Sequence, residues 1–193
     1  MAANRSFYGL LTRRVGEARL AAALPQLPPA GRVLDVGCGL TDLAARIPDY
    51  TGADRNPEVL AQQRKRFPDR DFFEWDIARG LAPPPLVREG PFEGILLLAV
   101  LEHVSEPAEV LGRLAPLLAP GGGRLVATTP HPIGRWPLEA GAALGLLSSH
   151  AHDEHETLLG RAALAAAGRA AGLSLVLYRR FLLGMNQVAV FSR

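Results

Sequence analysis

Residues 33–44 read VLDVGCGLTDLA. An apolar run carrying Asp35 stops at Gly37, Gly39 follows one residue later, and Thr41 and Asp42 lead into helix-forming residues. The pattern predicts a strand over RVLDV (32–36), a tight turn, and a short helix in LTDLAARI. Glycines in such a turn lack side chains, so a ligand can lie against the backbone. An ordinary strand-to-helix turn would use the same two glycines. The neighbouring elements have to decide.

Outward from that stretch, YTGAD (50–54) reads as a second strand ending in Asp54. NPEVLAQQRKRF opens with Asn56 as N-cap and Pro57 at the first helical position. DFFEW (71–75) is a third strand with Asp76 just beyond it. The prolines of RGLAPPPLVREGP (79–91) predict a loop. GILLLAV (94–100) is a continuous apolar run, as in a strand buried on both faces. SEPAEVLGRLAPLLAPGGG predicts a helix capped by Ser105 and kinked or shortened by Pro116. RLVATT (124–129) is a fifth strand, ETLLGRAALAAAGRAAG a helix closed by Gly172, and SLVLYRRFLLG with NQVAVFSR a pair joined by a tight turn. The opening NRSFYGLLTRRVGEARLAAAL reads as an amphipathic helix outside the sheet, with Phe7 and Tyr8 either packing or facing a site.

Strand–helix alternation followed by two adjacent strands predicts an α/β class: a Rossmann-like doubly wound sheet, mainly parallel, with an antiparallel C-terminal hairpin. The expected organisation is one domain over 1–193, with a helical cap in 1–30 and an irregular lid in 130–156. Ligands of such sheets bind beyond the carboxyl ends of the strands, where strand order reverses. Composition narrows the partners. The net charge is +2 and no run of five positive residues occurs, which argues against nucleic acid. No segment is apolar enough to span a bilayer. Arg13-Arg14 precede LAAALPQL, but Glu17, Arg19 and Pro25 break any signal-like core. With Cys38 the single cysteine, a cytoplasmic protein is the expectation.

Asp54 stands where a carboxylate accepts from a ribose diol, and Asp76 ends the next strand. Each has a plainer reading, as a loop cap and a solvated turn residue. A dinucleotide fingerprint needs a third glycine at 42, where Asp42 stands. Thr41 suits an N-cap, and a carboxylate at 42 opposes the pyrophosphate such sites hold. The turn favours a nucleoside without phosphates.

VLDVGCGLTDLA, YTGADRNPEVL, FEWD, GILLLAVLEHVSEPAEVLGRLAPLLAPGGGRLVATTPHP and the terminal hairpin together resemble class I S-adenosylmethionine-dependent methyltransferases, of the small-molecule type with LEHV and PGG motifs. The resemblance covers residues 30–193 and implies seven strands, the last inserted antiparallel between the fifth and sixth. It implies S-adenosylmethionine as cofactor, with Asp35, Gly37 and Gly39 lining its methionine end. By the same resemblance Asp54 holds the ribose hydroxyls and Arg55 lies beside the adenine. Asp76 accepts from the adenine amino group, the Ile77 backbone meets the ring edge, and Ala99 offers its backbone to the methionine part. Thr41 departs from the third glycine of the family's DxGxGxG, and Glu93 from the aspartate before the fourth strand. Neither removes a group that touches the cofactor, though Thr41 bears on affinity.

His103 of LEHV is the candidate catalytic base; as an alternative it starts a helix and makes a structural hydrogen bond. His131 and Trp136 are the candidate acceptor-binding residues, on the lid, which also reads as a solvated polar loop. The chain lacks an NPPY-type sequence after the fourth strand, which argues against methylation of a nucleobase amino group. HAHDEH (150–155) comes near HxHxDH, the ligand run of a metallohydrolase, but no histidine follows His155, and no metal is expected. The expected function is methyl transfer to a small metabolite or lipid-like acceptor; the alternative is a non-catalytic cofactor- or partner-binding domain of the same fold.

Overall fold

The computed structural model describes residues 2–134 and 159–193. Seven strands form one sheet: β1 (Val33–Val36), β2 (Tyr50–Asp54), β3 (Asp71–Glu74), β4 (Gly94–Leu98), β5 (Arg124–Pro130), β6 (Ser174–Phe181) and β7 (Asn186–Ser192). Their order is β3-β2-β1-β4-β5-β7-β6. The first five pair in parallel, while β7 runs antiparallel to both β5 and β6. This is the Rossmann-like sheet with an inserted last strand. After β1 the chain turns to one side for β2 and β3, then crosses to the other for β4. The reversal therefore falls between β1 and β4, and the register (Asp35 beside Gly52 and Leu96) brings their carboxyl ends level.

Period-2 side-chain alternation sends successive residues to opposite faces. Leu34, Val36, Ile95, Leu97, Ala127 and Phe191 build one core. Val33, Leu96, Val126, Val188 and Val190 build the other. Both faces are covered, so β1 and the first four residues of β4 are buried throughout. Each fully buried leucine contributes about 1.5–3 kcal/mol.

The helices are α1 (Ala2–Ala23), α2 (Leu43–Arg46), α3 (Pro57–Arg66), α4 (Pro84–Glu89), α5 (Pro107–Leu114) and α6 (Arg161–Ala170). Asn56 caps α3 as expected, its side chain accepting from the Glu58 N–H at 2.9 Å. Pro116 limits α5, which gives way to a 3₁₀ turn at Ala115–Leu117. Two expectations are corrected. The proline-rich loop contains α4, because Pro84 and Pro85 occupy a first turn that needs no N–H donors, and Leu86 is wholly buried there. Glu106, not Ser105, holds the N-cap position of α5: Pro107 fixes the first helical residue one place later. Past the carboxyl ends of β4 and β5, Arg19 of α1 donates from Nε to Asn186 Oδ1 at 3.2 Å and lies 3.9 Å from the buried Glu102 carboxyl. No helix among the described residues is long and apolar enough to cross a membrane.

Candidate functional site

A crevice of about 190 Å³ opens at the carboxyl ends of β1–β4, where sheets of this class place their ligands. Gly37, Asp54, Arg55, Asp76, Ile77, Ala99 and His103 all line it, seven of the residues singled out by sequence. Val36, Trp75, Val100 and Val104 complete its apolar walls. Val36 ends β1, Trp75 and Val100 lie just past β3 and β4, and Val104 follows the 3₁₀ turn after β4.

Two backbone features let the crevice form. Gly37 has φ +72°, and a Cβ there would sit 2.6 Å from Val100 Cγ2, so a side chain is excluded on conformation and on space. Ala99 has φ +59°, a conformation an L-residue holds at a cost of roughly 1–2 kcal/mol. Its N–H donates to Thr128 O at 2.9 Å, and the Gly37 N–H donates to Ala53 O at 2.8 Å. Both N–H groups are occupied, which leaves the carbonyls as the polar groups of this rim.

The glycine turn is held from below and from the side. Gln63 of α3, wholly buried, donates from Nε2 to both Gly39 O and Thr41 O at 2.9 Å. Asp54 accepts the Gly39 N–H on Oδ2 and the Asn56 N–H on Oδ1, each at 2.9 Å. Asp54 thus ties the turn to β2 as well as facing the crevice. Each carboxylate oxygen has a second lone-pair direction for a ligand.

Thr41 is not the cap of α2; Asp42 holds that position, without a side-chain cap bond. Asp42 is instead paired with the Arg66 guanidinium, which offsets its charge. What disfavours phosphate here is the length of α2, four residues, too short to sum a useful helix dipole.

Asp35 lies outside the crevice lining. It is buried behind the turn and accepts from the Tyr50 hydroxyl at 2.9 Å. Burial, only partly opposed by that bond, pushes its carboxyl up to about 7. The same surroundings push the Cys38 thiol up to about 12, chiefly by burial, so this free cysteine is a packed apolar residue rather than a nucleophile. Gly39 is likewise off the lining, one step beyond it, engaged with Asp54.

Asp76 accepts from Ala78 N at 3.1 Å and pairs with Arg79 at 3.3 Å. Ile77 O accepts from Arg113 at 2.6 Å, so Ile77 turns only its N–H toward other partners. His103 is exposed at the mouth, its N–H donating to Val100 O at 3.0 Å. His131 is not in this lining: its N–H donates to Met185 O at 2.8 Å and its Nδ1 accepts from Ile133 N at 3.1 Å. Burial and then Arg180 hold its pKa below the ordinary histidine value. Trp136, most of the lid and HAHDEH lie outside the described residues. Among the described residues no group of three or more His, Cys, Asp or Glu is placed to hold a metal.

The strand order, the crevice at its reversal and the acidic strand ends define a class I S-adenosylmethionine-dependent methyltransferase fold. Residues 9–178 match the family model described as "Methyltransferase domain", and the chain belongs to that family. It is 40% identical over 111 residues to trans-aconitate 2-methyltransferase of Methylobacterium nodulans, covering 54% of this chain and 40% of that protein. To the ubiquinone biosynthesis O-methyltransferase of Xylella fastidiosa 9a5c it is 33% identical over 169 residues, 81% of this chain and 67% of the relative. A crystal structure of an S-adenosylmethionine-dependent methyltransferase from Mesorhizobium loti superposes with a TM-score of 0.70 at 18% identity, over 91% of this chain and 98% of that one. The chain thus spans well under half the length of the first of these relatives and two thirds of the second.

Proposed function

We propose that the protein transfers a methyl group from S-adenosylmethionine to a small metabolite or lipid-like acceptor. The observation that carries this reading is the convergence of Gly37, Asp54, Asp76, Ile77, Ala99 and His103 on one crevice at the strand reversal. The residues present fit the cofactor. Carbonyls left over at Gly37 and Ala99 suit an ammonium group, Asp54 a ribose diol, and Asp76 with the Ile77 N–H the edge of an adenine. Val100 fills the space that a Cβ of Gly37 would need, so packing keeps the backbone bare at this point of the crevice wall. When bound there, the cofactor supplies an electrophilic methyl group on a sulfonium sulfur. The chain's own part is to orient the partners and to keep water out with Trp75, Val100 and Val104. His103, exposed at the mouth, takes up the acceptor's proton where one must leave. Relatives named trans-aconitate 2-methyltransferase and ubiquinone biosynthesis O-methyltransferase support a small-molecule acceptor.

The test is to incubate the chain with labelled S-adenosylmethionine and a fractionated metabolite extract, and to follow the label by product mass. Transfer to a small molecule that falls at least about 10²-fold in His103→Ala, with S-adenosylhomocysteine affinity kept, supports the reading. Binding of the cofactor product with no transfer to any fraction would make this a non-catalytic binding domain.

A further inference from the structure

The turn between β6 and β7 breaks two local rules at once. Leu182 and Leu183 both have positive φ, +50° and +54°, where asparagine or glycine would be at home. Leu183 is also 98% exposed. The turn is nevertheless well formed, with Gly184 N donating to Phe181 O and Met185 N to Leu182 O, both at 3.1 Å. A strained backbone that holds a large apolar side chain in water has no account in folding, and such local violations collect where function requires them.

Its surroundings give the partner's chemistry. Arg179 and Arg180, both exposed, precede the tip on opposite faces of β6, which among the described residues is an edge strand bonded to β7. Arg161 lies over the Tyr178 ring at 5.7 Å on the same edge. Residues 159–193 hold five arginines and no acidic residue, although the whole chain carries only two more basic than acidic groups. The two adjacent arginines discourage pairing of this edge with a second copy. Ile133, half exposed, adds apolar surface near the tip, since His131 N donates to Met185 O at 2.8 Å. The tip therefore stands beside the carboxyl end of β5, on the edge of the molecule where the crevice opens.

We infer that the β6–β7 tip docks the protein on an anionic bilayer surface, with Leu183 entering the headgroup boundary and Arg179 and Arg180 meeting lipid phosphates. An inserted apolar side chain and flanking cations supply the two signals that peripheral attachment needs. The inference deepens the proposed function, on which it rests for one consequence: the acceptor reaches the crevice from the membrane interface.

The test is flotation of the full chain with vesicles of phosphatidylglycerol and phosphatidylcholine, against phosphatidylcholine alone. Expected is binding to the anionic vesicles that weakens between 50 and 500 mM salt and is absent from the neutral ones (about these concentrations bracket useful screening). Leu183→Asn suits the left-handed turn, so it should match or exceed the parent in Tm while binding anionic vesicles at least ~10-fold less. R179E/R180E should abolish attachment. Equal binding by Leu183→Asn, a loss of Tm in that variant, or no preference for anionic vesicles would overturn the inference. S-adenosylhomocysteine affinity, measured on the same proteins, should not change. Its absence from the parent would refute the methyltransferase reading and leave the docking result to stand or fall alone.

Discussion

At the scale of single residues, the site depends on carboxylates whose surroundings differ. Asp54 keeps both oxygens on backbone donors and lines the crevice, so it holds the turn and, on the proposed reading, meets the ribose as well. Asp54→Ala should weaken S-adenosylhomocysteine binding by about 2–3 kcal/mol and lower Tm as well; an unchanged affinity in calorimetry would show that another group holds the ribose. Asp35 behaves differently. Its folded pKa, about 7, lies above the ordinary carboxyl value near 3.8. Between those two values the folded state holds a proton that the unfolded state has lost, so stability falls as pH rises through that window. The fall is on the order of 4 kcal/mol across the whole window. Asp35→Asn removes this group, and its Tm should decline less between pH 4 and 7 than the parent's, the remainder coming from the buried Glu102, whose pKa burial also raises. A parallel decline in both would place the titration elsewhere.

At the scale of elements, the glycine turn is a supported structure rather than a gap in the chain. Gln63, far along the chain from β1, fastens two of its carbonyls from α3. Gln63→Leu leaves both carbonyls without that donor, and should cost about 1–3 kcal/mol of stability together with cofactor affinity. The two turn glycines should also separate. Gly37→Ala meets both a left-handed φ and Val100, and should lose about 2 kcal/mol or more; Gly39→Ala meets the φ alone, with open space around its Cβ, and should lose about 1 kcal/mol. Equal losses in denaturant titrations would mean that Val100 yields freely.

Elements were the most legible part of the sequence. Alternation of apolar strands with capped helices announced the sheet, and VLDVGCG with Asp54 and Asp76 announced the crevice. What escaped was tertiary. Gln63 lies in a run of polar residues, AQQRKR, and nothing local says that it turns inward. Asp35 looked like a third ligand-facing acid, yet one residue of strand alternation sends it behind the turn to Tyr50. The α4 helix was hidden by prolines that are harmful in a helix interior and harmless in a first turn.

At the scale of the molecule, the sheet gathers chemistry at its carboxyl edge: the crevice over β1–β4, His131 after β5, and the leucine tip between β6 and β7. The inserted β7 makes this possible. By running antiparallel beside β5 it returns the β6–β7 turn to the edge where the parallel strands end. On the proposed reading, binding and delivery share one side of the sheet.

The most direct check is isothermal titration of the chain with S-adenosylhomocysteine, in parallel with the Asp54→Ala and Asp76→Ala variants. Saturable one-site binding by the parent, weakened at least ~10-fold in each variant, is the predicted outcome. Heat changes indistinguishable from dilution up to millimolar ligand, or equal affinity in all three proteins, would contradict the assignment of this crevice to an adenosyl cofactor.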